Sequence, residues 1–190
     1  SSIGPVFDNL FEGCTKRIVV ATFASNVHRV QQIVNSAVKY RRKKSQKQAM
    51  EALCSITIPD SITSIGHSAF RGCRGLADAN GFIIVRGVLY DCFHKAQAIT
   101  IPDGVTAISN HVFSDCYSLA RVRIPDSLTA IGEGAFSNCF SLTDINIPDG
   151  VTTIGPEAFW RCAKLTNIRI PQGVTTIGLG VFYRCARLTN

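Results

Sequence analysis

The chain of 190 residues lacks any long uninterrupted apolar run, although 46% of its residues are apolar. A helix that crosses a bilayer needs about 20 consecutive apolar residues, so we predict no membrane span. The first residues also lack the basic segment, apolar core and small-residue cleavage site of a secretory signal. As the chain stands, these two absences predict a cytoplasmic protein.

Histidine is sparse and scattered, which argues against metal-dependent catalysis. His28, His67, His94 and His111 stand singly, whereas a two-metal nuclease holds its ions with a close-set group such as His-x-His-x-Asp-His. No two cysteines have the C-x-x-C spacing of a zinc site either. We therefore predict no enzymatic activity, no catalytic residue, no bound metal and no cofactor.

A repeat dominates the second half of the chain. Proline recurs every 23 residues, at Pro102, Pro125, Pro148 and Pro171, within the pattern I-x-I-P-D-G-V-T-x-I-G-x-x-A-F-x-x-C-x-x-L. Apolar and polar residues alternate before each proline, as in a short strand with one buried face. A unit this short cannot bury enough apolar surface alone, so we predict that the copies stack into a solenoid. The predicted inward pairs are Ile56 and Ile58, Ile99 and Ile101, Val122 and Ile124, Ile145 and Ile147, and Ile168 and Ile170.

The far side of each copy carries a second apolar set, which in the best copy consists of Ala158, Phe159, Cys162 and Leu165. Five of the eight cysteines share one repeat position, so we expect a ladder of buried free thiols rather than a disulfide framework. Disulfides between adjacent coils are allowed by distance but disfavoured by the parallel side chains. The predicted ladder is Cys73, Cys116, Cys139, Cys162 and Cys185.

The repeat pattern resembles the BspA-like branch of the leucine-rich repeats over residues 54–190. Between Pro59 and Pro102 the chain exceeds one period by 20 residues, and two apolar runs flank Arg86-Gly87 there, which predicts a β-hairpin over 82–91. The G-V-L-Y-D sequence of this insert is similar to one in that family. The resemblance implies a protein that binds a partner on its repeat surface. It also implies secretion or cell-surface display as the alternative to a cytoplasmic location.

Residues 1–45 carry no repeat. Their apolar spacing predicts a helix over 3–11, a strand over 18–23 and a helix over 27–38, so the fold class is a mainly β solenoid preceded by a helix–strand–helix segment. Residues 17–43 resemble the start of the β-CASP domain of ribonuclease J, and this resemblance implies that Ser25 contacts an RNA phosphate group. Beyond Lys43 the chain departs from that family. We therefore predict an incomplete fragment whose strand lacks its family's sheet partners and packs loosely.

The formal net charge is +7, and much of it lies at a basic junction over 39–47. We predict three parts: the fragment over 1–45, a basic and polar linker over 46–53, and the solenoid over 54–190. A solvated linker is the simpler explanation of the basic run, and a phosphate-binding arm is the alternative. Tyr40 alone interleaves an aromatic ring with these charges, so nucleic acid is a disfavoured partner. A genuine fusion, a gene rearrangement and an error in the gene model all fit this sequence, and we expect further residues after the last copy.

The outward positions of the repeat strands are the best candidates for a binding surface, because stacked copies align them in rows. The leading hypothesis is a non-catalytic interaction scaffold whose partner is a protein or another macromolecule. The alternative is an RNA-processing protein, or an inactive remnant of ribonuclease J fused to repeats. The predicted binding residues are Arg121, Arg123, Asp144, Asn146, Asn167 and Arg169.

Overall fold

The computed structural model describes residues 20–21, 56–58, 60, 62–93 and 96–189. These residues belong to two compact units, within 1–79 and within 80–190. The helices predicted over 3–11 and 27–38 lie outside the described residues. Ser25, His28, His94 and the basic junction also lie outside them.

The described residues of the first unit form two short strands and one turn of 3₁₀ helix. Strand β1 (Val20–Ala21) pairs in parallel with strand β2 (Ile56–Thr57), and the 3₁₀ turn spans Arg74–Leu76. The prediction that the strand at 18–23 packs loosely without a partner is therefore wrong for β1. The edge of a repeat strand has unpaired N–H and C=O groups, which supply the partners that the backbone of β1 needs.

The second unit begins with the predicted β-hairpin, which the structure confirms. Strand β3 (Phe82–Val85) pairs antiparallel with strand β4 (Val88–Cys92), and the register shifts between Ile83 and Ile84. Arg86 and Gly87 connect the strands with φ of 50° and 77°. Positive φ at both central residues is what a tight type I′ turn requires, and this turn matches the twist of the two strands.

Beyond the hairpin, each coil contributes one strand to each of two sheets. Strands β5 (Ala98–Thr100), β7 (Arg121–Arg123), β9 (Asp144–Ile145) and β11 (Asn167–Ile168) form a four-stranded parallel sheet. Strands β6 (Ala107–Ile108), β8 (Ala130–Ile131) and β10 (Thr153–Ile154) extend the hairpin into a five-stranded sheet. The solenoid predicted from the repeat is thus confirmed.

The register of these sheets follows the sequence period. Val122 lies opposite Ile145, one period further along the chain. At the hairpin the register changes, because Leu89 lies opposite Ile108, only 19 residues away. Strand β4 therefore takes the place that the second strand of a regular coil would occupy, which explains how the insert fits the array.

The same layers are buried in successive coils. Ile145 and Ile147 are 2% and 0% exposed, and the equivalent inward residues at 99, 101, 122 and 124 are also buried, as predicted. Ile168 and Ile170 are only partly buried. On the far side Phe113, Phe136 and Phe159 have no exposed surface, and their rings stack at centroid distances of 5.1 Å and 5.4 Å.

A row of cysteines lies beside these rings. All six cysteines that the structure describes are free thiols. Of the predicted ladder, Cys73, Cys139 and Cys162 are completely buried as expected, whereas Cys116 and Cys185 are only partly buried. Burial raises the pKa of the Cys139 and Cys162 thiols, that of Cys162 to about 12. The repeat pattern did not predict the hydrogen bonds that these two thiols donate to the preceding coil. Cys139 Sγ donates to Phe113 O and Cys162 Sγ donates to Phe136 O, each at 3.2 Å.

Candidate interaction surface

The four-stranded sheet has a polar outer face. Arg121 and Arg123 on β7 are exposed, and so are Asp144 at the start of β9 and Asn146 directly after it. Side chains alternate between the two faces of a strand, so the apolar residues between these positions point into the core and leave the polar ones outside. The repeat thus places polar outward residues on β7, β9 and β11.

A groove of about 420 Å³ lies on this outer face. It brings together four of the six predicted binding residues. It also contains two aspartates that the sequence analysis did not select. The polar side chains that line it are Arg121, Arg123, Asp144, Asn146, Asp103 and Asp126.

Charges of both signs alternate within the groove. Arg121 lies directly opposite Asp144 in the parallel register, where opposite charges on neighbouring strands attract. Asp103 and Asp126 lie at the corners that follow the strands, so the groove contains three carboxylates and two guanidinium groups. Such a surface offers donors and acceptors to a polar ligand but no excess of positive charge for a polyanion.

The two missed aspartates come from the corner turns. Each follows a corner proline, in the pairs Pro102-Asp103 and Pro125-Asp126, and neither is among the predicted binding residues. The signal that could have identified them is the recurrence of Pro-Asp directly after the second inward isoleucine, at Ile101 and Ile124. Stacking places these recurring carboxylates at the same edge of the sheet.

Hydrogen bonds between coils hold these corners in place. The Ser127 hydroxyl donates to Val105 O at 2.8 Å and accepts from the Gly104 amide at 3.1 Å. The Thr129 hydroxyl donates to Thr106 O at 3.0 Å. The backbone next to Asp103 and Asp126 is therefore tied to the neighbouring coil, which fixes the edge of the groove.

The remaining two predicted binding residues do not line the groove. Arg169 Nη1 lies 2.7 Å from Asp149 Oδ1 in an ion pair whose side chains are 63% and 73% exposed. Asn167 is also exposed, with its amide nitrogen 3.5 Å from the Thr166 hydroxyl. The outer face therefore has a groove over β7 and β9 and an exposed ion pair near β11.

Two kinds of site are absent from the part of the chain that the structure describes. No group of three or more His, Cys, Asp or Glu side chains is placed to hold a metal ion. No helix in this part of the chain is long and apolar enough to cross a membrane. Ser25, the phosphate contact implied by the ribonuclease J resemblance, lies outside the described residues.

Two family models match the sequence. The model described as the BspA type leucine-rich repeat region, with 6 copies, matches residues 83–190. The model of the ribonuclease J β-CASP domain matches residues 15–70, so its match extends past residue 45 into the first repeat copy. The repeat array and the N-terminal segment are thus each similar to a different family.

Known proteins reflect the same division. Ribonuclease J of Helicobacter pylori (strain J99) is 46% identical over 43 residues, which are 23% of this chain and 6% of that protein. Ribonuclease J of Mycobacterium tuberculosis (strain H37Rv) is 49% identical over 45 residues, which are 24% of this chain and 8% of that protein. The matched segment is therefore a small part of those enzymes.

Solved structures of leucine-rich repeat proteins are similar to the array. The leucine-rich repeat protein of T. pallidum is 29% identical, with a TM-score of 0.49, and the match covers 53% of this chain and 60% of that one. A leucine-rich cell surface protein of Faecalibacterium prausnitzii is 23% identical, with a TM-score of 0.48, over 73% of this chain and 53% of that one.

Proposed function

We propose that this chain, which belongs to the BspA-type leucine-rich repeat family, is a non-catalytic scaffold that binds a protein partner in the groove on its four-stranded sheet. The observation that carries the proposal is the alignment of Arg121, Arg123, Asp144 and Asn146 in one groove. Successive coils fix these residues through a buried core, so little ordering of the surface opposes binding.

The charges of the groove favour a polypeptide ligand. A peptide segment supplies amide donors and acceptors together with side chains of either sign, which can complement neighbouring guanidinium and carboxylate groups. Nucleic acid presents a dense row of phosphates, for which binding proteins supply an excess of lysine and arginine. The groove has more carboxylates than guanidinium groups, so it supports a protein partner over nucleic acid.

A second candidate function, contact with RNA through the N-terminal segment, is supported by the β-CASP match over 15–70. The 43 residues that match the Helicobacter pylori enzyme are 6% of that protein, and the sequence contains no His-x-His-x-Asp-His group to hold catalytic metal ions. We therefore place RNA cleavage outside the proposed function, and the match supports RNA contact at most.

Peptide selection on the full chain tests the groove. Peptides enriched from a displayed random library are measured by fluorescence anisotropy against the wild type and the variant R121E/R123E. We expect the variant to raise Kd by at least about tenfold, because two exposed charge contacts of about 1 kcal/mol each are replaced by repulsion. Thermal melting of both proteins verifies that the fold is retained.

The matched control is R71E/R74E, which changes the net charge by the same amount on exposed residues outside the groove. The control should leave Kd within about twofold, because its charges lie outside the contact and act only through screened long-range forces. The proposal is wrong if the selected peptides bind R121E/R123E as tightly as the wild type, or if no peptide is enriched.

A further inference from the structure

The far side of the solenoid carries a row whose chemistry changes along the array. One position of the repeat is serine in two coils, where Ser114 and Ser137 hydrogen-bond through their hydroxyls at 2.9 Å. In the next two coils the same position is aromatic. Trp160 and Tyr183 stack there, with ring centroids 6.5 Å apart and planes 10° from parallel.

The next position of the repeat also changes along the array, from acidic and neutral residues to arginine. It reads Asp115, Asn138, Arg161 and Arg184, and all four residues have φ near 60°. The Arg161 guanidinium carbon lies over the Trp160 ring, 4.8 Å from the ring centroid. Arg184 lies over the ring of the preceding tyrosine in its own coil, at 5.5 Å. Both arginines are thereby held against aromatic rings.

A third row adds two more cations. Ser118 and Ser141 are followed, one and two periods on, by Lys164 and Arg187, which are both exposed. We name the six residues that distinguish these two coils the cationic aromatic surface: Trp160, Arg161, Lys164, Tyr183, Arg184 and Arg187.

The cations of this surface are not neutralised within the described part of the chain. None of the four forms an ion pair with a described carboxylate, whereas Arg169 on the sheet face pairs with Asp149 at 2.7 Å. Glu157 is the only carboxylate that the sequence places between residues 150 and 190. Four adjacent positive charges with one nearby acid require a negatively charged partner for charge complementarity.

We infer that the cationic aromatic surface binds an acidic segment of another protein, at a site separate from the groove. Arginine presents a planar fork of donors that matches a carboxylate in two parallel hydrogen bonds. The outward edges of stacked rings carry partial positive charge, so they also favour a carboxylate. Trp, Tyr and Arg are the residues in which the energy of protein interfaces concentrates.

The arrangement of the rings argues against single-stranded nucleic acid. Proteins that bind single-stranded nucleic acid offer free aromatic ring faces on which the bases stack. Here Tyr183 and Arg161 already lie against the Trp160 ring. Each of the two adjacent coils contributes two cations to this surface, which favours a segment that carries several acidic residues.

Fluorescence anisotropy on the full chain tests this inference. The probe is a short labelled peptide of alternating glutamate and threonine, measured at low ionic strength where screening is weak. Three variants use the residues that other coils already carry at these positions: R161N/R184N, K164S/R187S and W160S/Y183S. Because Asn138, Ser141 and Ser137 fit the same backbone, we expect each variant to melt close to the wild type.

Each of the three variants is expected to raise Kd at least about threefold, as loss of two exposed charge contacts or two ring edges would produce. The control variant R71N/R74N removes the same charge as R161N/R184N from exposed residues outside the groove and the cationic aromatic surface, and it is expected to leave Kd within about twofold. A Kd unchanged in any of the three, or raised equally by the control variant, overturns the inference. Absence of peptide binding, or tighter binding of oligothymidylate than of the peptide, overturns it as well.

Discussion

Phe136 is the residue whose truncation tests the stacked core most directly. Its side chain has no exposed surface. Its ring lies between those of Phe113 and Phe159, at centroid distances of 5.1 Å and 5.4 Å and within 9° of parallel to both. Phe136→Ala therefore removes a buried ring and leaves both neighbours facing a cavity.

The expected loss in the free energy of unfolding is about 3–5 kcal/mol, the usual cost of truncating a buried phenylalanine. The stacked layers on both sides limit collapse of the cavity, so the upper half of that range is expected. For a chain of this length the melting temperature should fall by roughly 6–20 °C.

Phe140→Ala is the matched control, because it removes the same side chain from the same coil. Phe140 is 40% exposed, and its ring stacks on Tyr117 at 5.2 Å, so its truncation should cost only about 1 kcal/mol. Urea denaturation of both variants, followed by circular dichroism, measures the difference. Equal losses in the two variants would refute the assignment of the inner ring stack as the stabilising layer.

Three further predictions follow from the coil geometry and the sequence. Cys139 and Cys162 should resist a thiol reagent in the native protein and react in denaturant. Burial raises the pKa of both thiols above the usual value of 9.0. Their contribution to the free energy of unfolding should therefore be complete below about pH 9 and decline above it, because the thiols of the unfolded chain ionise there. Rapid native labelling of both would contradict this. Gly155→Ala should destabilise the protein by about 1–3 kcal/mol, because its Cβ would lie 2.6 Å from the Glu133 amide nitrogen. Gly150→Ala should cost less, because its Cβ meets nothing closer than 3.3 Å. A reversal of that order in thermal melts would count against the stacking of the coils. Lastly, the full chain should not cleave a 5′-phosphorylated RNA with added zinc or manganese, because the metal-binding histidine group is missing from its sequence; metal-dependent cleavage would show otherwise.

Much of the fold was predictable because it depends on local and periodic features. The alternation around Ile145 and Ile147 specified a strand with one buried face, and Arg86-Gly87 specified the hairpin turn. The recurrence of cysteine at one repeat position specified a row of free thiols. Each of these signals is contained within one repeat, and stacking merely copies it to the next.

Other features depended on which residues the fold brings together. The pairing of Val20 with Ile56 joins residues 36 positions apart, and no local or periodic pattern in the sequence signals it. The place of Asp103 and Asp126 in the groove, and the ion pair that separates Arg169 from it, likewise depend on where each corner lies relative to the sheet.

By itself the sequence determined the period, the inward and outward faces of each strand and the identity of the buried rings. It did so because apolar periodicity decides which side chains leave water. Only the tertiary structure decided which outward charges share a groove, which are neutralised by an ion pair, and which remain as the cationic aromatic surface. Electrostatic and hydrogen-bonded contacts act over a few ångströms, so they depend on the register and turns that bring residues from different coils together.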